Sequence, residues 1–228
     1  MTLNTSDIKV LAFDVFGTVV DWHGSIAREV NAMGLGLDGH AFASAWRKGY
    51  VPAMDRVRKG ELGWTKIDDL HRMILGDVLA KFNVTGLSPE AIAHLNKVWH
   101  RLDPWPDTVE GLKRLKSRYT ICTLSNGNLS LLANMAKRAG LPWDLILSAE
   151  VFHHYKPDPE TYLGVGQVFD VPPGQTMLVA AHKEDLRAAA ATGMRTAFIT
   201  RPLEFGAHRT VDISRDPAFD FHATDFLH

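Results

Sequence analysis

Apolar and polar positions along this chain alternate on two scales. Short apolar runs recur as KVLAFDV at 9–15, YTICTLS at 119–125, LILSAEV at 145–151, TMLVAA at 176–181 and TAFIT at 196–200. Between them lie stretches whose apolar residues return every three or four positions. Near-continuous apolar strands separated by amphipathic helices predict a parallel sheet covered on both faces, a Rossmann-like doubly wound α/β fold. TVEGLKRLKSRY (108–119) lines up Val109, Leu112 and Leu115 on one helix face, and NLSLLANMAKRAG (128–140) ends at Gly140, a helix stop. PETYLGVGQVF (159–169) and EDLRAAAATG (184–193) predict two further helices, the second again ending at a glycine.

The stretch from about residue 20 to 98 is too long for a simple crossover and shows little strand-like alternation. Segments 39–54, 64–82 and 88–102 carry helical spacing, the last opening on the helix start Ser88-Pro89-Glu90. The expectation is a sheet domain of residues 1–20 and 99–228, interrupted by a helical insertion of 21–98. DPWPD at 103–107 marks the return to the sheet.

Composition narrows the class. The 228 residues include 25 Lys plus Arg against 26 Asp plus Glu, so bulk charge favours neither nucleic acid nor an anionic membrane. An anion has to be held by a local site. The single cysteine, Cys122, excludes an internal disulfide and points to a reducing compartment, with the thiol as an inert strand residue. MTLNTSDIKV lacks the basic and apolar regions of a secretory leader, and no run of about 18 apolar residues occurs, so a cytoplasmic location is expected.

In an open parallel sheet the reactive groups gather at the carboxyl ends of the strands. Four such ends carry polar residues: Asp14 to Thr18, Ser125-Asn126-Gly127, Lys156-Pro157-Asp158 and His182 to Asp185. In their order, FDVFGT, LSNG, YKPDPETY and a last strand followed by an Asp-bearing helix, these motifs resemble the haloacid dehalogenase (HAD) superfamily. The likeness covers the whole sheet domain, and the insertion stands where that superfamily has its helical cap. The resemblance implies that Asp14 is a nucleophile.

The family's phosphatases carry a second Asp two residues later, a general acid, and bind Mg²⁺ with an acidic residue after the fourth strand. Here those positions hold Phe16 and, in VAAHKED, Ala180 and Ala181, leaving Asp185. Phosphoryl transfer needs a hard cation, whereas a halide leaves as a stable anion and needs no proton. Phe16 therefore fits a dry pocket for a carbon–halogen bond, and no metal or cofactor is expected. The 2-haloacid dehalogenase branch is matched further by Arg47 in AWRKGY, Lys156 and Tyr162 in YKPDPETY, and Thr18, Ser125, Asn126 and Asp185. Where that branch often has Ser-Ser-Asn, this chain has Ala180-Ala181-His182.

The resemblance implies hydrolysis of short-chain (S)-2-haloalkanoic acids, haloacetates included, to 2-hydroxy acids through an aspartyl ester. Lys156 is expected to keep Asp14 ionised and Arg47 to receive the halide or the substrate carboxylate. Thr18, Ser125 and Asn126 are candidates for holding the carboxylate and the ester oxyanion, and Asp185 for orienting water with His182. His182 is left open between a neutral base and a halide donor. Val15, Phe16, Tyr162 and Trp64 complete the candidate binding set. Asp158 reads as a helix N-cap, and His153-His154 as strand neighbours facing opposite ways. The partners implied are a halogenated carboxylic acid and water; dimerisation, common in the family, stays open. The alternatives are a HAD phosphatase for a small organic phosphate and a catalytically silent protein that binds a small carboxylate.

Overall fold

The structure, a computed structural model, describes residues 7–228, so part of the stretch read for a leader lies outside it. All five apolar runs form strands: β1 (Val10–Phe13), β4 (Thr120–Ser125), β5 (Leu145–Ser148), β6 (Thr176–Ala180) and β7 (Arg195–Ile199). With β8 (Phe221–Ala223) they make a six-stranded sheet in the order β5-β4-β1-β6-β7-β8, with every pairing parallel. β1 is central, Ala12 lying between Cys122 and Leu178. Its buried residues face apolar layers on both sides, which is why the run reads as continuous rather than alternating.

Residues 20–104 leave and rejoin the sheet through a two-stranded antiparallel ribbon, β2 (Val20–Asp21) with β3 (Asp103–Pro104). Between them stand α1 (Trp22–Ala32), α2 (Gly39–Lys48), α3 (Tyr50–Arg58), α4 (Ile67–Lys81) and α5 (Pro89–Asn96), followed by a 3-10 turn at Lys97–His100. The helical spacing over 39–54 divides into α2 and α3 at Gly49, where a Cβ would collide with the Ile74 side chain of α4. One buried apolar cluster continues from the sheet, through Phe13 and Phe16, into the insertion at Trp22, Phe42, Trp46, Leu70 and Trp99. A polar clamp adds to it: buried Asp68 on α4 takes hydrogen bonds from Lys97 and His100, and its N–H donates to Asn128 Oδ1.

The remaining helices are α6 (Thr108–Lys116), α7 (Leu129–Ala139), α8 (Ala149–Phe152), α9 (Pro159–Phe169) and α10 (Lys183–Ala191). The run LILSAEV is strand only to Ser148, because Ser148 caps α8 by accepting from the Glu150 N–H. His153 follows α8 in a left-handed conformation, so His153 and His154 are turn residues, not strand neighbours. No helix among the described residues is long and apolar enough to cross a membrane.

Candidate active site

The carboxyl ends of β1, β4 and β6 open beneath α2 and α3 into a cavity of about 540 Å³. Asp14 is its buried centre, one residue past β1 and still in the ladder through its N–H to Val179 O at 3.0 Å. Lys156 Nζ donates to Asp14 Oδ1 at 2.9 Å and to Asp185 Oδ2 at 2.6 Å. The turn carrying Lys156 is fixed by Asn126 Oδ1, which accepts the Lys156 N–H at 2.7 Å, and by Arg58, which donates to Lys156 O at 2.6 Å. Burial alone would raise the Asp14 pKa, but the Lys156 ammonium and His182 outweigh it and hold the carboxyl well below the usual range. Burial would lower the Lys156 pKa, and its two carboxylates raise it instead.

The other Asp14 oxygen, Oδ2, accepts from Thr18 Oγ1 at 2.7 Å and faces His182 Nδ1 at 3.1 Å. His182 Nε2 lies 3.0 Å from both oxygens of Glu204, itself 1% exposed. Burial opposes a charge on the ring, yet Glu204 and Asp14 push the His182 pKa up to about 10. His182 is therefore clasped between two carboxylates, a setting that favours the protonated ring. Neither expectation for it, a free neutral base or an uncommitted halide donor, describes this arrangement.

Of the predicted residues, Asp14, Phe16, Arg47, Ser125, Asn126, Lys156, Tyr162, His182 and Asp185 all line the cavity. Arg47 projects from the last turn of α2, its guanidinium 4.1 Å from the Tyr50 ring centre and 5.8 Å from that of Trp22. Among the described residues it has no carboxylate partner and no hydrogen bond, only these rings and the field of neighbouring groups. Such a charge facing a cavity suits an anion. The Phe16 ring packs edge-on against Trp99 at 5.6 Å and forms an apolar wall. Tyr162 donates to Asp185 Oδ1 at 2.6 Å, so with Lys156 it fixes that carboxylate. The Ser125 hydroxyl accepts the Gly127 N–H at 3.1 Å.

Four expectations are corrected. Trp64 stands outside this cavity: it stacks on His153 and Tyr155 and lines a separate hollow with Arg58 and Asp158, because the segment between α3 and α4 drapes over that turn. The Val15 side chain is in the apolar core and does not line the cavity. Thr18 is fully buried, its hydroxyl donating to Asp14 Oδ2 and accepting the Ala181 N–H at 2.9 Å, so of its two expected tasks it is placed for the Asp14 oxygen and not for a substrate carboxylate. Asp158 precedes α9 but makes no side-chain cap there, its carboxylate pairing with Arg58 instead.

Glu204, in RPLEFG at 201–206, is not among the residues singled out from the sequence. Its one signal is an acid flanked by Leu203 and Phe205. The loop is anchored by buried Arg201, which pairs with Asp107 through two hydrogen bonds of 2.7 and 2.8 Å and donates to Thr18 O. A divalent cation of the phosphatase kind does not fit beside Asp14. Asp14 Oδ1 is covered by the Lys156 ammonium and Oδ2 by the Thr18 hydroxyl and the His182 ring, residue 181 is alanine and Asp185 is engaged by Lys156 and Tyr162.

A family model for haloacid dehalogenase-like hydrolases matches residues 8–193. The chain belongs to this family. Among HAD-like structures, that of an L-2-haloacid dehalogenase is 44% identical and superposes with a TM-score of 0.92 over 96% of both chains. A defluorinating L-2-haloacid dehalogenase is 45% identical, TM-score 0.92, covering 96% of this chain and 92% of that one. The (S)-2-haloacid dehalogenase 4A of Burkholderia cepacia is 29% identical over 213 residues, spanning 85% of this chain and 84% of that protein.

Proposed function

We propose that this HAD-like hydrolase is a cytoplasmic (S)-2-haloacid dehalogenase that replaces the halogen of a short 2-haloalkanoic acid by hydroxyl. The observation that carries the reading is a single ionised, buried carboxylate, Asp14, beside Lys156, with the Phe16 ring where a leaving-group acid would stand and the uncommitted Arg47 cation across the cavity. Displacement of a halide calls for a nucleophile, a dry wall and an anion receiver, and for no proton donor. The relatives' activities, 2-haloacid dehalogenation in each case, support the same reading.

Asp14 attacks the halogen-bearing carbon from behind and the carbon–halogen electron pair leaves with the halide, so an (S)-acid yields the (R)-hydroxy acid. Arg47 binds the substrate carboxylate or the departing halide, with Ser125 and Asn126 at the same wall. Water then hydrolyses the ester, with Asp185, held by Lys156 and Tyr162, as its base. In this reading the described residues up to 20 and residues 99–228 form the sheet domain, 21–98 the cap, and the substrate lies between them.

The test is halide release from (S)-2-chloropropionate, chloroacetate and fluoroacetate in the presence of EDTA. Release that survives chelation, and falls by more than about 10³-fold in Asp14→Asn, is expected. Phosphate release from p-nitrophenyl phosphate with Mg²⁺, without halide release, would overturn the reading. Fluoride release from fluoroacetate would extend the substrate range to the halogen named for the defluorinating relative.

A further inference from the structure

Glu204 is a buried acid that the reaction above leaves without a task. Its carboxylate accepts from Trp22 Nε1 at 3.1 Å and meets His182 Nε2 with both oxygens at 3.0 Å. It fits only because residue 17 is glycine, at φ +89°: a Cβ there would collide with Glu204 Oε1. With a carboxylate on each ring nitrogen, His182 satisfies both contacts only by carrying both protons.

The two oxygens of Asp14 are not equivalent. Oδ2 has two donors, the Thr18 hydroxyl at 2.7 Å and His182 Nδ1–H at 3.1 Å, both on groups that are themselves fixed. Oδ1 has Lys156 alone. The oxygen with two fixed donors is the poorer nucleophile and the better place for a developing negative charge.

We propose that Glu204 is a positioning residue that keeps His182 as an imidazolium, so that His182 Nδ1–H and the Thr18 hydroxyl form the oxyanion site for Asp14 Oδ2 during ester hydrolysis; this rests on the dehalogenase reading. In the displacement, Oδ1 supplies the electron pair to the substrate carbon, the halide takes the carbon–halogen pair, and no proton moves. His182 keeps its proton because Glu204 still faces Nε2 after Asp14 has lost its charge. Water next adds to the Asp14 carbonyl carbon, giving one proton to Asp185, and the carbonyl pair moves onto Oδ2 between Thr18 and His182. The bond from that carbon to Oδ1 then breaks. The 2-hydroxy acid departs with Oδ1 and takes the proton back from Asp185, while water's second proton leaves the new carboxyl for solvent.

The charged groups around the imidazolium are Asp14 after β1, Glu204 after β7, Lys156 before α9 and Asp185 on α10; α1 contributes the neutral donor Trp22. Nitrogen NMR of His182 in the wild-type protein at about pH 8 should show both ring nitrogens protonated, above the ordinary histidine pKa of about 6.5. In Glu204→Gln the ring should lose its second proton at a lower pH than in the wild type, with Asp14 alone still favouring the charged form. Ester decay, followed by intact mass, should slow by about 10-fold or more at pH 9 and recover as pH falls through about 6.5, with KM little changed. A wild-type His182 with one bare nitrogen at pH 8 would overturn the proposal, even if the variant does not fold. So would a Glu204→Gln pH profile that superimposes on the wild type. Absence of halide release from every 2-haloacid by the wild-type enzyme would instead sink the dehalogenase reading and the oxyanion role with it, while the nitrogen spectrum would still report whether Glu204 holds the proton.

Discussion

At the scale of single residues the site holds one cation with no carboxylate partner among the described residues. Lys156 and His182 are committed to carboxylates, while Arg47 is committed only to the Tyr50 and Trp22 rings. A charge-assisted contact to a substrate carboxylate is worth about 1.5–3 kcal/mol, so Arg47→Met should raise KM for 2-chloropropionate by roughly 10- to 150-fold. Arg47→Lys should recover only part of it, because an ammonium lacks the planar fork that meets a carboxylate with two donors. Steady-state kinetics of the two variants check this, and equal KM values for wild type and Arg47→Met would remove Arg47 from substrate binding. Phe16→Asp tests the opposite wall. A second carboxylate facing Asp14 raises the cost of ionising either, so halide release should fall by about 10-fold or more at neutral pH.

At the scale of elements, the loop after β1 does the most positioning. Gly17 takes a left-handed backbone and leaves room for Glu204, and Thr18 turns back to Asp14. Gly17→Ala meets both a strained φ and a collision, and should cost about 1–3 kcal/mol in denaturant unfolding as well as displacing Glu204 from His182. An unchanged unfolding midpoint would contradict that. The strands carrying Asp14, Ser125 and Ala180 were legible because burial on both faces makes them continuous apolar runs. β8 was not, since its three residues are only half-buried and follow a long irregular segment. The helical spacing of 39–54 was read correctly, but the break at Gly49 depends on how closely α4 approaches, which no local pattern records. For the same reason Trp64 was misplaced and Glu204 overlooked: each owes its position to where a loop lands, whereas Asp14, Lys156 and Asp185 follow from strand ends that topology brings together.

At the scale of the whole molecule, the buried ionised cluster makes stability depend on pH in a defined direction. His182 has an ordinary value of 6.5 and is raised to about 10 on folding. Its contribution is thus fully present below about pH 6.5 and is lost progressively as pH climbs toward about 10. Asp14 is depressed from 3.8, so its contribution is present above that value and is lost on acidification. Burial pushes the His71 imidazole down to about 3, which adds a loss of stability as pH falls below about 6.5, so denaturant midpoints should be highest near pH 6.5 and decline on both sides. Glu204→Gln should flatten the alkaline decline, and an alkaline slope identical to the wild type would mean that other groups produce it.

The sheet's central strands also settle the fate of the one thiol. Cys122 lies fully buried in β4, with its pKa raised by burial and by Asp144. Haloacetates are alkylating agents that carboxymethylate accessible thiolates. In the dehalogenase reading proposed above, a sole sulfhydryl kept protonated and walled off shields the chain from alkylation by the haloacids it would turn over.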